Sequence, residues 1–175
     1  MRIFIALLFS EEIKVELYNT IDYLRDLYDG NYTSFDNLHL TLHYIGEVDE
    51  LLLEDVKTAI KSINFKKSKV KILKLSSFKN TSTSCLVHRV IEKTISLKQL
   101  HLKTINALKL AGIKIDSDNF TPHITLGRKV KISKEDLLDI LVDEVEVEFD
   151  RISIMESKRV DGDLIYEELD HKKFF

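Results

Sequence analysis

The sequence predicts an α+β fold of two similar lobes with no flexible joint. Strand-patterned and helix-patterned segments are interspersed along the whole chain, and the second half of their order echoes the first. One short pattern, His-apolar-Thr-apolar, occurs once in each half. With one Pro and five Gly in 175 residues, no stretch has the composition of a linker, so residues 1–175 read as a single bilobal domain.

The elements follow in order. The apolar run Ile3 to Phe9 is a buried first strand; it is too short to span a bilayer, and no small-residue cleavage site follows it. Ser10 caps a helix whose positive end is favoured by Glu11 and Glu12, and Ile13, Leu17, Ile21, Leu24 and Tyr28 recur at helical spacing until Asp29-Gly30-Asn31 stops it. Leu38 to Ile45 is a strand closed by Gly46. Asp49 to Ile63 is a helix with Leu52, Val56, Ile60 and Ile63 on one side. Phe65 to Phe78 and Cys85 to Ile91 are strands joined by the polar turn Lys79-Asn80-Thr81-Ser82. Ser96 and Gln99 make a capping-box pattern for a helix reaching Ala111, and Gly112 stands at its left-handed stop. Thr121 to Arg128 is a strand and Ser133 to Leu141 a short helix. Val145 to Lys158 and Asp163 to Leu169 form a last strand pair around Asp161-Gly162.

Charge and motif content exclude several function classes. Twenty-six Lys and Arg against 29 Asp and Glu give a net charge of −3, so no global basic charge draws the protein to nucleic acid. The distribution is uneven. Lys57, Lys61, Lys66, Lys67, Lys69, Lys71, Lys74, Lys79 and Arg89 occur with no acid between Val56 and Ile91, whereas acids dominate from Glu135 onward. That basic flank is expected to guide an anionic end toward a site. The single Cys85 allows neither an internal disulfide nor a cysteine-based zinc cage, and it reads as a packed strand residue in a cytoplasmic protein. No phosphate-binding glycine loop, dinucleotide turn or Gly-x-Ser-x-Gly elbow is present.

The doubled motif is His39-Leu40-Thr41-Leu42 and His123-Ile124-Thr125-Leu126. On a strand, side chains two residues apart share a face, so each copy presents an imidazole beside a hydroxyl while its apolar residues face the core. Imidazole titrates near pH 6.5 when unperturbed, so two facing histidines can supply a general base and a general acid. Two threonine hydroxyls can hold the free oxygens of a phosphate. The array suits phosphodiester cleavage without metal or cofactor. By the same alternation, His43 falls on the face of His39 and Thr41, as a contact for phosphate or RNA at the rim. A His39/His43 metal pair is excluded, because four strand residues separate the rings by about 13 Å. Phe120 and Tyr44 are candidates to stack on a base.

These motifs resemble the 2H phosphoesterase superfamily, and within it the RNA 2′,3′-cyclic phosphodiesterases also named 2′-5′ RNA ligases. The opening Arg2-Ile3-Phe4-Ile5-Ala6, the segments Asn37 to Leu42 and Phe120 to Arg128, and the tail with Glu156-Ser157 and Tyr166 carry the likeness over nearly the whole chain. The resemblance implies a duplicated bilobal fold, two antiparallel sheets flanking a central cleft with helices outside. It implies that His39 and His123 are catalytic, with His123 favoured as base and His39 as acid, and that Thr41 and Thr125 bind the phosphate. Arg128 matches an arginine that some members carry five residues after the second His. Strand alternation alone aims Arg128 away from the cleft, so a bulge at Gly127 is required to turn it back. The implied reaction opens a terminal 2′,3′-cyclic phosphate on RNA to a 2′-phosphomonoester, with weak reverse ligation, in a monomer that does not engage membranes. The rival readings are a phosphodiesterase of a small nucleotide, such as ADP-ribose cyclic phosphate or 2′,5′-oligoadenylate, and a noncatalytic nucleotide- or RNA-binding module.

Overall fold

Along the first strand Ile3 to Leu7 are all buried, on both faces, so this strand has cover above and below. In the computed structural model, which describes residues 1–175, it is β1 (Arg2–Leu8), and it lies inside a four-stranded antiparallel sheet. Its neighbours are β3 (His39–Glu47) on one side and β8 (Arg151–Val160) on the other, with β9 (Asp163–Lys173) beyond β8. The second sheet, also antiparallel, runs in the order β2 (Asn31–Tyr32), β6 (His123–Val130), β5 (Cys85–Ile91), β4 (Lys69–Lys79) and β7 (Val145–Glu148).

Four helices cover these sheets. α1 (Glu11–Leu27) packs on β6 and α4 (Lys134–Leu138) on β4, whereas α2 (Glu50–Lys61) packs on β8 and β9 and α3 (Ile95–Leu110) on β3. Local chemistry sets the starts of all four. The Ser10 hydroxyl accepts from the Ile13 amide at 3.4 Å, Asp49 accepts from Leu52 at 2.8 Å, and Ser133 accepts from Asp136 at 3.1 Å. For α3 the cap is Thr94, which accepts from Leu97 at 3.0 Å, and not Ser96, because the helix opens two residues earlier than the capping-box pattern suggests. None of the four is long and apolar enough to cross a membrane.

Two further differences bear on the site. The expected strand from Val145 to Lys158 is broken at Phe149-Asp150, where the chain leaves one sheet as β7 and enters the other as β8. The lobes are therefore not the two halves of the sequence; each sheet takes strands from both. The two-residue β2 is too short to leave a periodic signal. One core of 36 residues joins the lobes, with Ile3, Ile5 and Leu40 from one sheet and Ile72, Val87 and Ile124 from the other.

Candidate active site

The motif strands β3 and β6 come from different sheets and are in contact along the line where those sheets meet. Their registers match residue for residue. His39 lies opposite Leu8 and Thr41 opposite Ala6 on β1, while His123 lies opposite Val90 and Thr125 opposite His88 on β5. Both ladders then slip at the same place. Ile5 pairs with His43, leaving Leu42 extra, and Val87 pairs with Gly127, leaving Leu126 extra. Each motif Thr is thus followed by a bulge that inverts the alternation beyond it.

The two bulges decide where three side chains point. His43 shares the face of its partner Ile5, the core face, and does not join His39 and Thr41 as simple alternation predicts. There it lies in the field of Asp116 and beside His101 of α3, and burial lowers its pKa. Tyr44, one step further, pairs with Phe4 and returns to the cleft face as an exposed side chain near Tyr166. Arg128 is turned back in the same way after Gly127. Its charge acts on both His39 and Tyr166, which belong to the opposite sheet. A Cβ on Gly127 would meet Tyr32 and Val130 at 2.9 Å, so only glycine fits the bend unless these neighbours move.

Both catalytic candidates are fixed by the same device. The Nδ1–H of His39 donates to the carbonyl of Asn37 at 2.7 Å, and that of His123 donates to the carbonyl of Thr121 at 2.8 Å. In each case the acceptor is the backbone two residues upstream. This sets the tautomer and leaves Nε2 as the free edge of the ring. In one lobe that edge already accepts the Thr41 hydroxyl at 2.9 Å. His39 is enclosed edge-on by Tyr166, with ring centres at 5.2 Å, and by Phe4 at 5.0 Å. Burial pushes its pKa down to about 4; the Asn37 carbonyl opposes the shift, and the charges of His123 and Arg128 add to it.

Several residues that support the site carry no motif of their own. Asn37, 6% exposed, donates to Leu164 O at 2.8 Å and accepts from the Tyr166 amide at 3.2 Å, tying the His39 strand to β9. The Thr33 hydroxyl donates to Thr125 O at 3.0 Å and does the same for the second strand. Beside His123 lie Phe78 and His88, each with its ring centre 5.2 Å away. No local pattern marks His88, since its β5 neighbours Leu86, Val87 and Val90 are apolar on both faces. Replacing Asn37 by Ala takes the partners from two partly buried backbone groups on β9, and is expected to cost about 1–3 kcal/mol in urea unfolding and to lower turnover by loosening His39.

Other candidate residues sit elsewhere. Phe120 is stacked on His101 at 4.3 Å with the rings 7° apart, so one aromatic face is committed to α3. Of the basic flank, Lys69 pairs with Glu146 at 3.7 Å and Lys61 with Asp170 at 2.8 Å, so C-terminal acids already answer part of that charge. Cys85 is half-buried with its thiol near Val130 O, and burial raises its pKa, the reverse of what a nucleophile needs.

Known proteins resemble this chain in sequence and in fold. The profile of the 2′-5′ RNA ligase superfamily matches residues 13–161. An RNA 2′,3′-cyclic phosphodiesterase of Thermotoga maritima is 30% identical, over 97% of this chain and 93% of that protein. One of Archaeoglobus fulgidus is 26% identical, over 81% and 79%. Among solved structures, E. coli LigT complexed with 3′-AMP superposes with a TM-score of 0.81 at 19% identity, over 99% of this chain and 97% of that one. A protein of Thermus thermophilus, TT0787, gives 0.80 at 22%, over 99% and 97%. These two share the fold. With the family profile spanning both motif strands, and a relative matched almost end to end, the chain belongs to the 2′-5′ RNA ligase superfamily.

Proposed function

We propose that residues 1–175 act as one bilobal, monomeric, cytoplasmic RNA 2′,3′-cyclic phosphodiesterase. The observation that carries this is the matched pair of imidazoles. Each is locked through Nδ1 to the carbonyl two residues upstream, each stands beside a motif Thr, and each presents Nε2 on one of two strands that meet. The names of the relatives from Thermotoga maritima and Archaeoglobus fulgidus support the same activity.

The enclosure of His39 favours the opposite division of labour to the one drawn from the resemblance. Held neutral, with a lone pair at Nε2, His39 takes a proton from water as the water oxygen bonds to phosphorus. The P–O3′ bond breaks and His123 gives its proton to O3′, leaving a 2′-phosphomonoester. On substrate binding the Thr41 hydroxyl leaves His39 Nε2 to the water and, with Thr125 and Arg128, holds the non-bridging oxygens, Arg128 through a charge-assisted bond. Every proton moved starts or ends on an imidazole, so the step asks for no metal. Tyr44, exposed on the cleft side, stacks on a base. His43 and Phe120 keep to the side of α3 and are not assigned a contact with substrate.

The test is incubation with an oligoribonucleotide ending in a 2′,3′-cyclic phosphate, with and without a chelator, the product being resolved as 2′- or 3′-phosphate. Turnover to the 2′-phosphate at an undiminished rate in chelator is expected. No turnover, or turnover restored only by added metal, would overturn the proposal; preference for a cyclic-phosphate mononucleotide would redirect it to small nucleotides. Because kcat/KM reports the free enzyme, its acid limb is expected near pH 4, where His39 gains a proton and ceases to be a base, and not near 6.5.

A further inference from the structure

The two lobes correspond strand by strand, and that correspondence shows where they differ. β3, β1 and β8 of one sheet match β6, β5 and β4 of the other. Opposite the motif Thr stands Ala6 in one lobe and His88 in the other. One strand further out, Ser153 faces Ala6 and Ser76 faces His88, while Met155 faces Phe4 and Phe78 faces Leu86. The reacting positions are therefore the same residue types in both lobes, and the walls beside them are not. Where the His39 lobe has a methyl group at Ala6, the His123 lobe has an imidazole, with Phe78 in place of Met155 beside it.

His88 is only 3% exposed, and neither of its ring nitrogens has a hydrogen-bond partner. It stacks on Phe78, with ring centres 4.2 Å apart and planes 28° apart, and meets His123 at 5.2 Å. Burial and the neighbouring His123 charge keep it neutral down to about pH 4. A buried polar ring with no partner costs stability and calls for an explanation other than its own hydrogen bonds. In the free protein, what His88 contributes is volume: with Phe78 it builds an aromatic wall on the His123 side of the cleft.

A cleft with two-fold-related acid, base and hydroxyls faces a substrate that is itself nearly two-fold, with phosphorus flanked by O2′ and O3′. One way round, O3′ lies opposite the attacking water, the P–O3′ bond breaks, O3′ takes the proton, and a 2′-phosphate remains. The other way round, the P–O2′ bond breaks, O2′ takes the proton, and a 3′-phosphate remains. The reacting groups do not distinguish these orientations. The walls that meet the ribose do. We propose that the exposed Phe78 ring, held in place by the buried His88 stacked behind it, fixes the orientation of the ribose and hence which ester bond is cut. This rests on the cyclic-phosphate reading and holds whichever imidazole supplies the proton.

The experiment measures the ratio of 2′- to 3′-phosphate formed from the same cyclic-ended oligonucleotide by the wild type and by His88→Ala, His88→Phe and Phe78→Ala. His88→Ala removes the support behind Phe78 and is expected to raise the 3′-phosphate share at least tenfold, while His88→Phe keeps that support and the wild-type product. Phe78 is partly exposed, so Phe78→Ala reads the same wall if His88→Ala does not fold, and it is expected to raise the 3′ share too. A single 2′ product from folded His88→Ala or Phe78→Ala would overturn the inference. So would loss of all turnover in folded His88→Ala, since that marks a group needed for rate and not for orientation. A wild type that leaves the cyclic end intact would instead overturn the cyclic-phosphate reading on which it rests.

Discussion

His39→Ala and His123→Ala are each expected to lower kcat/KM on a cyclic-phosphate end by about 10²–10⁴-fold, the range for loss of a positioned general acid or base. The loss should fall on kcat more than on KM, because neither ring is needed to hold the phosphate once Thr41, Thr125 and Arg128 are in place. The double variant should be little worse than the more damaged single one. Base and acid serve one displacement, and with either missing the other has nothing to complement. Both rings sit on strands whose backbone bonds do not depend on them, so far-UV circular dichroism should be unchanged. A single variant within about threefold of wild type would remove that ring from the mechanism.

Arg128→Ala comes second, with an expected loss of about 10–100-fold. Charge-assisted hydrogen bonds are worth roughly 1.5–3 kcal/mol, and each 1.4 kcal/mol is a factor of ten. Arg128→Lys should recover part of this, since it keeps the charge and loses the planar fork. The substitution also carries a signature that a structural role would not produce. Arg128 lowers the proton affinity of His39 across the cleft, so removing its charge lets His39 protonate at higher pH. The acid limb of kcat/KM should therefore move upward in Arg128→Ala. An unmoved limb would place Arg128 outside the field of His39.

The difference between what the sequence displayed and what it hid lies in the period of the strand. His39, Thr41, His123 and Thr125 were legible because a two-residue repeat on a strand has one geometric meaning. His43 was placed on the wrong face by the same rule, because Leu42 is an inserted residue and each bulge resets the alternation. The signal for Arg128 was present in Gly127, a residue that weakens a strand unless a bend or close neighbour requires it. Thr94 was passed over as the α3 cap because Ser96 and Gln99 offered a stronger local pattern. The break between β7 and β8 carries no glycine or proline; its one mark is Asp150-Arg151, where the apolar alternation slips from Val145, Val147 and Phe149 to Ile152 and Ile154. His88, Phe78 and Asn37 belong to the site only through cross-strand partners, which no local pattern records.

What everything depends on is that one phosphorus can be reached by both imidazoles at once. A crystal structure of the protein soaked with a 2′-phosphorylated nucleotide tests it most directly. The phosphate should lie between β3 and β6, with oxygens within about 2.6–3.2 Å of Nε2 of both His39 and His123. A phosphate bound in the cleft against only one of the two rings, with the other turned away or out of reach, would contradict it.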